Sequence, residues 1–167
     1  MIEKDIANQI IKCFKRGNKL LICGNGGSAA MAQHMASEFI GWFETTPPFR
    51  KALPAIALTN PSVITAIAND YHFTHIFSRQ IEALGNKGDV LIIFTTSDIS
   101  NKNRDLKRSH NLIVADNIAS KKGMITIKIP RKGKSTAKIQ EYQFKLMHNI
   151  VREVEKAFSS FSIPKDF

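Results

Sequence analysis

The chain has 167 residues, 43% of them apolar and 23% charged, with a formal net charge of +10 at pH 7. That size and balance fit one domain, residues 1–167, around a single core, and they exclude wholesale disorder. No run of eighteen apolar residues occurs, the opening MIEKDIANQI lacks the apolar core of a secretory leader, and two cysteines cannot frame a disulfide scaffold or a metal finger, so a reducing cytoplasm is the expected setting.

Residues 2–17 read as an amphipathic helix, because Ile6, Ile10, Cys13 and Phe14 recur at helical spacing before Gly17-Asn18. Lys19–Cys23 is a short apolar run. Gly24-Asn-Gly-Gly-Ser28 follows, then strong helix formers, with Ser28 the expected N-cap. Met31, Met35 and Trp42 suit either a core or a subunit interface. Pro54–Leu58 predicts a second strand, and a helix runs from Thr59-Asn-Pro-Ser62 through about Ala68. Ile76–Leu84 predicts another helix, stopped by Gly85. Asp89–Phe94 is the clearest strand, and Thr95–Ser100 is a polar turn. A short charged helix over Asn101–His110 has only Leu106 to bury. Leu112–Ala115 and Met124–Ile129 predict two more strands. Residues 136–157 form a long closing helix with Ile139, Phe144, Met147, Ile150, Val151 and Val154 as its core face. Apolar strands alternating with helices predict an α/β fold: a three-layer αβα sandwich, doubly wound and flavodoxin-like, on a mostly parallel five-stranded sheet.

Ligands of open parallel sheets bind beyond the carboxyl ends of the strands. Three polar turns lie there: Gly24–Ser28, Thr59–Ser62 and Thr95–Ser100. Glycines let backbone approach a ligand, and the helix after Ser28 offers unpaired N–H groups. Thr95–Ser100 offers hydroxyls with backbone N–H groups, the makings of a phosphate cradle. Neither turn is a dinucleotide fingerprint, since the third glycine and the downstream acid are missing. Tight turns use the same residue types for shape alone.

His34 and Glu38 are four residues apart and share a helix face. Gln140, Phe144 and His148 share a face of the closing helix. These side chains suit a divalent ion such as zinc, or a Glu–His base and acid, or a surface pair and a core histidine. From Arg104 to Lys138 ten basic residues face only Asp105 and Asp116, a local charge of +8. Such a stretch suits nucleic acid, phosphorylated metabolites or plain solvation.

Cys23-Gly-Asn-Gly-Gly-Ser-Ala-Ala-Met-Ala-Gln-His-Met-Ala-Ser-Glu38 resembles the opening motif of the phosphoheptose isomerases, which are sugar-isomerase (SIS) domain proteins. Leu53–Leu58, Ala66–Asp70, Phe77–Gln80, Gly88–Leu91 and Lys138–Glu141 with His148 continue the resemblance. It covers about Asn18 to Phe158. It implies an aldose–ketose isomerase that converts sedoheptulose 7-phosphate to D-glycero-D-manno-heptose 7-phosphate, the first step toward the heptose of bacterial lipopolysaccharide or capsule. It implies Glu38 and His148 as the acid–base pair, and zinc on His34, Glu38, Gln140 and His148. Asn25, Gly26, Gly27, Ser28, Asn69, Asp70, Glu38 and Gln140 would line the sugar, and Thr95, Thr96, Ser97 and Ser100 would hold the phosphate. It also implies a cytoplasmic homotetramer with a small sugar-phosphate partner and no membrane or nucleic-acid partner. The alternative is a non-catalytic SIS-domain sensor or an adaptor of the replication-initiator-binding class. That class lacks the Glu and His, and this chain has both.

The sequence departs from the family in three places. Its phosphate turn usually reads Ser-Thr-Ser-Gly-Asn-Ser, but here it is Thr95-Thr-Ser-Asp-Ile-Ser100. Asp98 would bring a repelling charge and, in a glycine-only backbone shape, strain. Lys102 and Arg104 stand ready to offset the charge. The stretch from Ser100 to Pro130 is about nine residues short of the family expectation, and by the same resemblance no counterpart is expected for the family's helix before Ile2, part of its tetramer interface.

Overall fold

The structure, a computed structural model, describes residues 2–41, 43–44, 50–99 and 109–158. Among these, helix α1 (Ile2–Lys15) leads into strand β1 (Leu20–Cys23) and helix α2 (Gly27–Ile40). Strand β2 (Ala55–Ala57), helix α3 (Pro61–Asp70), a 3-10 turn (Phe73–His75) and helix α4 (Ser78–Leu84) follow. Strand β3 (Val90–Ile93), helix α5 (His110–Lys121), strand β4 (Ile125–Lys128) and helix α6 (Thr136–Lys156) complete the order. The sheet is parallel throughout, in the order β2-β1-β3-β4.

The two central strands are buried along their whole length. Their alternate residues feed two cores. Leu20, Ile22, Val90 and Ile92 pack with Ile10, Met35, Phe39, Met147 and Ile150 of α1, α2 and α6. Leu21, Cys23, Leu91 and Ile93 pack with Phe77, Ile81, Leu112 and Ala115 on the opposite face. This is the expected three-layer sandwich. Met31 and Met35 are core residues, and Trp42 lies outside the described residues.

The strand count differs from the expected five. Leu112–Ala115 lies inside α5 rather than in a strand, and four strands are present among the described residues. The reason is periodicity: Leu112, Ala115 and Ala119 are buried at i, i+3 and i+7, one stripe of a helix. The short apolar run Leu112–Ala115 is the start of that stripe. Residues 101–108 of the expected charged helix, with Lys102, Arg104 and Leu106, lie outside the described residues, as does Ser100.

Two local expectations also change. Gly26, not Ser28, is the N-cap of α2, while Ser28 is buried in the first turn with its amide donating to the Asn25 carbonyl at 3.0 Å. On α6, Met147, Ile150, Val151 and Val154 are buried as expected, joined by Gln143 and Leu146. Ile139 is only half-buried and Phe144 is exposed. Phe144 packs instead against His34 and His148.

One buried acid fixes the start of both central strands. Asp89, 1% exposed, accepts from the Lys19 amide at 3.0 Å, Lys19 Nζ at 2.6 Å, Asn18 Nδ2 at 3.1 Å and the Asn86 amide at 2.8 Å. Burial raises its pKa, but the hydrogen bonds from Lys19, Asn86 and Asn18 outweigh burial and hold the carboxyl below its ordinary value of 3.8. The stability this supplies is complete above that value and is lost as pH falls through the lower, folded value. Asp89→Asn is expected to cost about 2–4 kcal/mol at pH 7. It should also flatten the acid loss of stability, as read from urea unfolding at a series of pH values.

Candidate active site

After β1 the chain runs outward to β2, then returns to place β3 on the other side of β1. The crevice beyond the carboxyl ends of β1 and β3 is therefore the topological switch point of the sheet. The glycine turn opens on one side of it and the turn after β3 on the other.

In the glycine turn, Gly26 has φ 55° and ψ −124°, a conformation that a side chain disfavours. Gly27 is needed for a different reason. A Cβ on it would stand 2.5 Å from Gln140 Nε2, so the bare backbone is what lets Gln140 of α6 lie against the turn. Asn25 pairs with Asn111 of α5 in a reciprocal amide contact, Asn25 Nδ2 to Asn111 Oδ1 at 3.0 Å and Asn111 Nδ2 to Asn25 Oδ1 at 2.8 Å. Asn111 is 2% exposed.

His34 and Glu38 of α2 meet His148 of α6. His34 Nε2 lies 3.1 Å from Glu38 Oε1 and 3.1 Å from His148 Nε2. One ligand atom from each of the three lies within 4.8 Å of the others. Two imidazole nitrogens at that separation repel unless a proton or a cation lies between them, so the donor set fits a divalent ion. Phe144 stacks beside both histidines, with ring centroids 5.1 Å from His34 and 4.4 Å from His148, and Phe43 covers His148 at 4.8 Å. These rings lower the local polarity. Burial raises the Glu38 pKa, aided by Glu155 and opposed by His34 and Arg50. Burial lowers the His148 pKa, and His34 and Arg152 add to the effect. The carboxyl is thus made more basic, and the imidazole is held neutral at neutral pH.

Besides the apolar core shared by α2 and α6, Arg50 ties the two helices together. Its Nη1 donates to the Phe39 carbonyl at 2.8 Å, its Nη2 donates to the Glu38 carbonyl, and its Nε donates to Glu155 Oε1 at 3.1 Å. Glu155 also accepts from the amides of Phe43 and Glu44, both at 3.0 Å.

Beyond β3, Thr95 Oγ1 accepts from the Ser97 amide at 3.1 Å. Gln143 Nε2 of α6 donates to the carbonyls of Thr95 at 3.0 Å and Ile129 at 3.2 Å, tying the ends of β3 and β4 to the helix. Asn69 and Asp70 sit exposed at the end of α3, bonded to each other at 2.8 Å, and Asp70 lines a separate cavity with Tyr71 and Arg79. Their hydrogen bonds do not reach the His–Glu–His cluster.

The residues that escaped the sequence reading are Arg50, Glu155, Asn111, Gln143 and Phe43. Each acts across a long sequence separation, and nothing in its local pattern signals a partner.

A family profile described as the SIS domain matches residues 2–129. A phosphoheptose isomerase of Synechocystis sp. is 41% identical over 167 aligned residues, which cover 90% of this chain and 80% of the relative. Another, from Desulfovibrio desulfuricans, is 46% identical over 131 residues, covering 78% of this chain and 57% of the relative. The solved phosphoheptose isomerase of Neisseria gonorrhoeae superposes with a TM-score of 0.79 at 33% identity, covering 93% of this chain and 86% of that one.

Gly27→Ala tests the packing of Gln140. The new methyl meets the mobile end of a side chain, so the fold should persist with Tm changed by only a few degrees. With a divalent ion on His34, Glu38 and His148, displacement of Gln140 would weaken its binding by roughly tenfold, measured by competition titration with a chromophoric chelator.

Proposed function

The chain belongs to the SIS domain family, and on that premise we propose that it is an aldose–ketose isomerase converting sedoheptulose 7-phosphate to D-glycero-D-manno-heptose 7-phosphate. The observation that carries this reading is the meeting of Glu38 and His148 beside the switch-point crevice, in a chain whose relatives are phosphoheptose isomerases.

The chemistry follows from the two groups. Glu38, as carboxylate, accepts the proton from C1 and returns it at C2 after the enediol has formed. Its raised pKa makes it a better base than a solvated carboxylate. His148, held neutral, both donates and accepts, so it passes the hydroxyl proton from O1 to O2 as the carbonyl migrates. Phe43 and Phe144 pack against the His148 ring and hold its orientation. Asn25, Gly26, Gly27, Ser28, Asn69, Asp70 and Gln140 would contact the sugar, and Thr95, Thr96, Ser97 and Ser100 its phosphate.

Zinc is the proposed cofactor, on His34, Glu38, Gln140 and His148. Bound there, it supplies positive charge that favours the enediolate. A cytoplasmic homotetramer in bacterial heptose synthesis completes the reading. No described helix is long and apolar enough to cross a membrane.

Incubation with sedoheptulose 7-phosphate, followed by phosphorus NMR, should give an aldoheptose 7-phosphate, and a folded protein without turnover would overturn the reading. Glu38→Gln and His148→Ala should each lower kcat by a factor of about 10²–10⁴ with the fold intact. The Glu38 carboxyl must be ionised to accept the proton, and its pKa is raised. Activity should therefore fall on the acid side at a pH above the ordinary carboxylate value of 4.5 and recover as pH rises, visible in the profile of kcat/KM.

A further inference from the structure

Asp98 sets a problem for the turn after β3. Backbone strain is not part of it: Ser109 is the one non-glycine among the described residues with a positive φ, so Asp98 does not occupy a glycine-only conformation. The problem is charge, because a carboxylate beside Thr95–Ser97 repels any anion bound there.

We propose that Arg131 makes this turn usable for phosphate by clamping Thr96 and Asp98 together and cancelling the Asp98 charge. The inference rests on the reading of Thr95–Ser97 as phosphate-binding. Arg131 Nη1 donates to the Thr96 carbonyl at 3.4 Å, and Nη2 lies 3.6 Å from Asp98 Oδ1. The two residues follow neighbouring parallel strands, with Ile93 of β3 in register with Lys128 of β4, so both emerge at the same end of the sheet. They line one cavity of about 210 Å³ with Thr95, Ile99, Lys128, Ile129 and Pro130.

Among the described residues, the neighbouring cations Lys128 and Lys132 are engaged elsewhere. Lys128 Nζ is held by Asp116 Oδ2 at 2.6 Å, and Lys132 Nζ lies 6.0 Å from the Tyr142 ring centre. A guanidinium also suits the task better than an ammonium, since its fork reaches a carbonyl and a carboxylate at once. Arg131 is thus a positioning residue. It acts on phosphate through Asp98 and the turn, not as a ligand.

The test is a double-mutant cycle on wild type, Arg131→Gln, Asp98→Asn and the double variant. Both side chains are more than a third exposed, so all four proteins should fold. The readouts are affinity for inorganic phosphate by calorimetry, and kcat and KM for sedoheptulose 7-phosphate. Arg131→Gln should weaken phosphate binding and raise KM by roughly five- to tenfold, with kcat within about twofold. In the Asp98→Asn background the same change should have an effect below about twofold. Arg131→Lys should recover part of the lost affinity. Equal losses in both backgrounds would make Arg131 a direct ligand and overturn the proposal, as would no loss in either, or no phosphate binding by the wild type. Wild-type turnover separately reports on the isomerase reading, and the phosphate titration reads the cycle even without turnover.

Discussion

The distance between α2 and α6 is the constraint on which the site depends. His34 and Glu38 belong to one helix, and His148 lies 114 residues beyond His34 on the other, yet the imidazoles approach to 3.1 Å. Arg50 secures that approach by using three nitrogens at once, on two carbonyls at the end of α2 and on Glu155 of α6. A single ammonium cannot span those acceptors. The Arg50 side chain is 1% exposed, so its charge is tolerable only while Glu155 and the carbonyls stay in place. The same contact that joins the helices therefore penalises their separation.

The two ends of the central strands are treated differently. At the start of β1 and β3, Asp89 is surrounded by four donors, one of them charged. At the far ends, the crevice is spanned by the neutral Asn25–Asn111 amide pair and by Gln143 on the strand-end carbonyls. Neutral hydrogen bonds contribute about 1 kcal/mol each, and charged ones about twice that. The base of the sheet is fastened more firmly than its mouth, where a substrate has to enter.

Much of this was legible in the residues themselves. Apolar runs at Leu20–Cys23 and Val90–Ile93 announce central strands because both faces of a parallel sheet are covered. Glycines at 24, 26 and 27 announce a turn that backbone must approach closely. The i, i+4 spacing of His34 and Glu38 places them together because helical geometry is local. Leu112–Ala115 reads as a strand in isolation because a four-residue apolar run suits either period, and only its packing against β1 and β3 side chains selects the helix.

The sequence by itself determined the α/β alternation, the two central strands, the glycine turn and the family resemblance, since all four rest on short-range periodicity and motif spacing. Tertiary structure alone decided the strand order β2-β1-β3-β4, the meeting of His148 with His34 and Glu38, the Arg50–Glu155 fastening and the Arg131–Asp98 pair. Each of these joins residues far apart in the chain. Which partners meet is set by helix packing and strand register, and those are properties of the whole fold rather than of any segment.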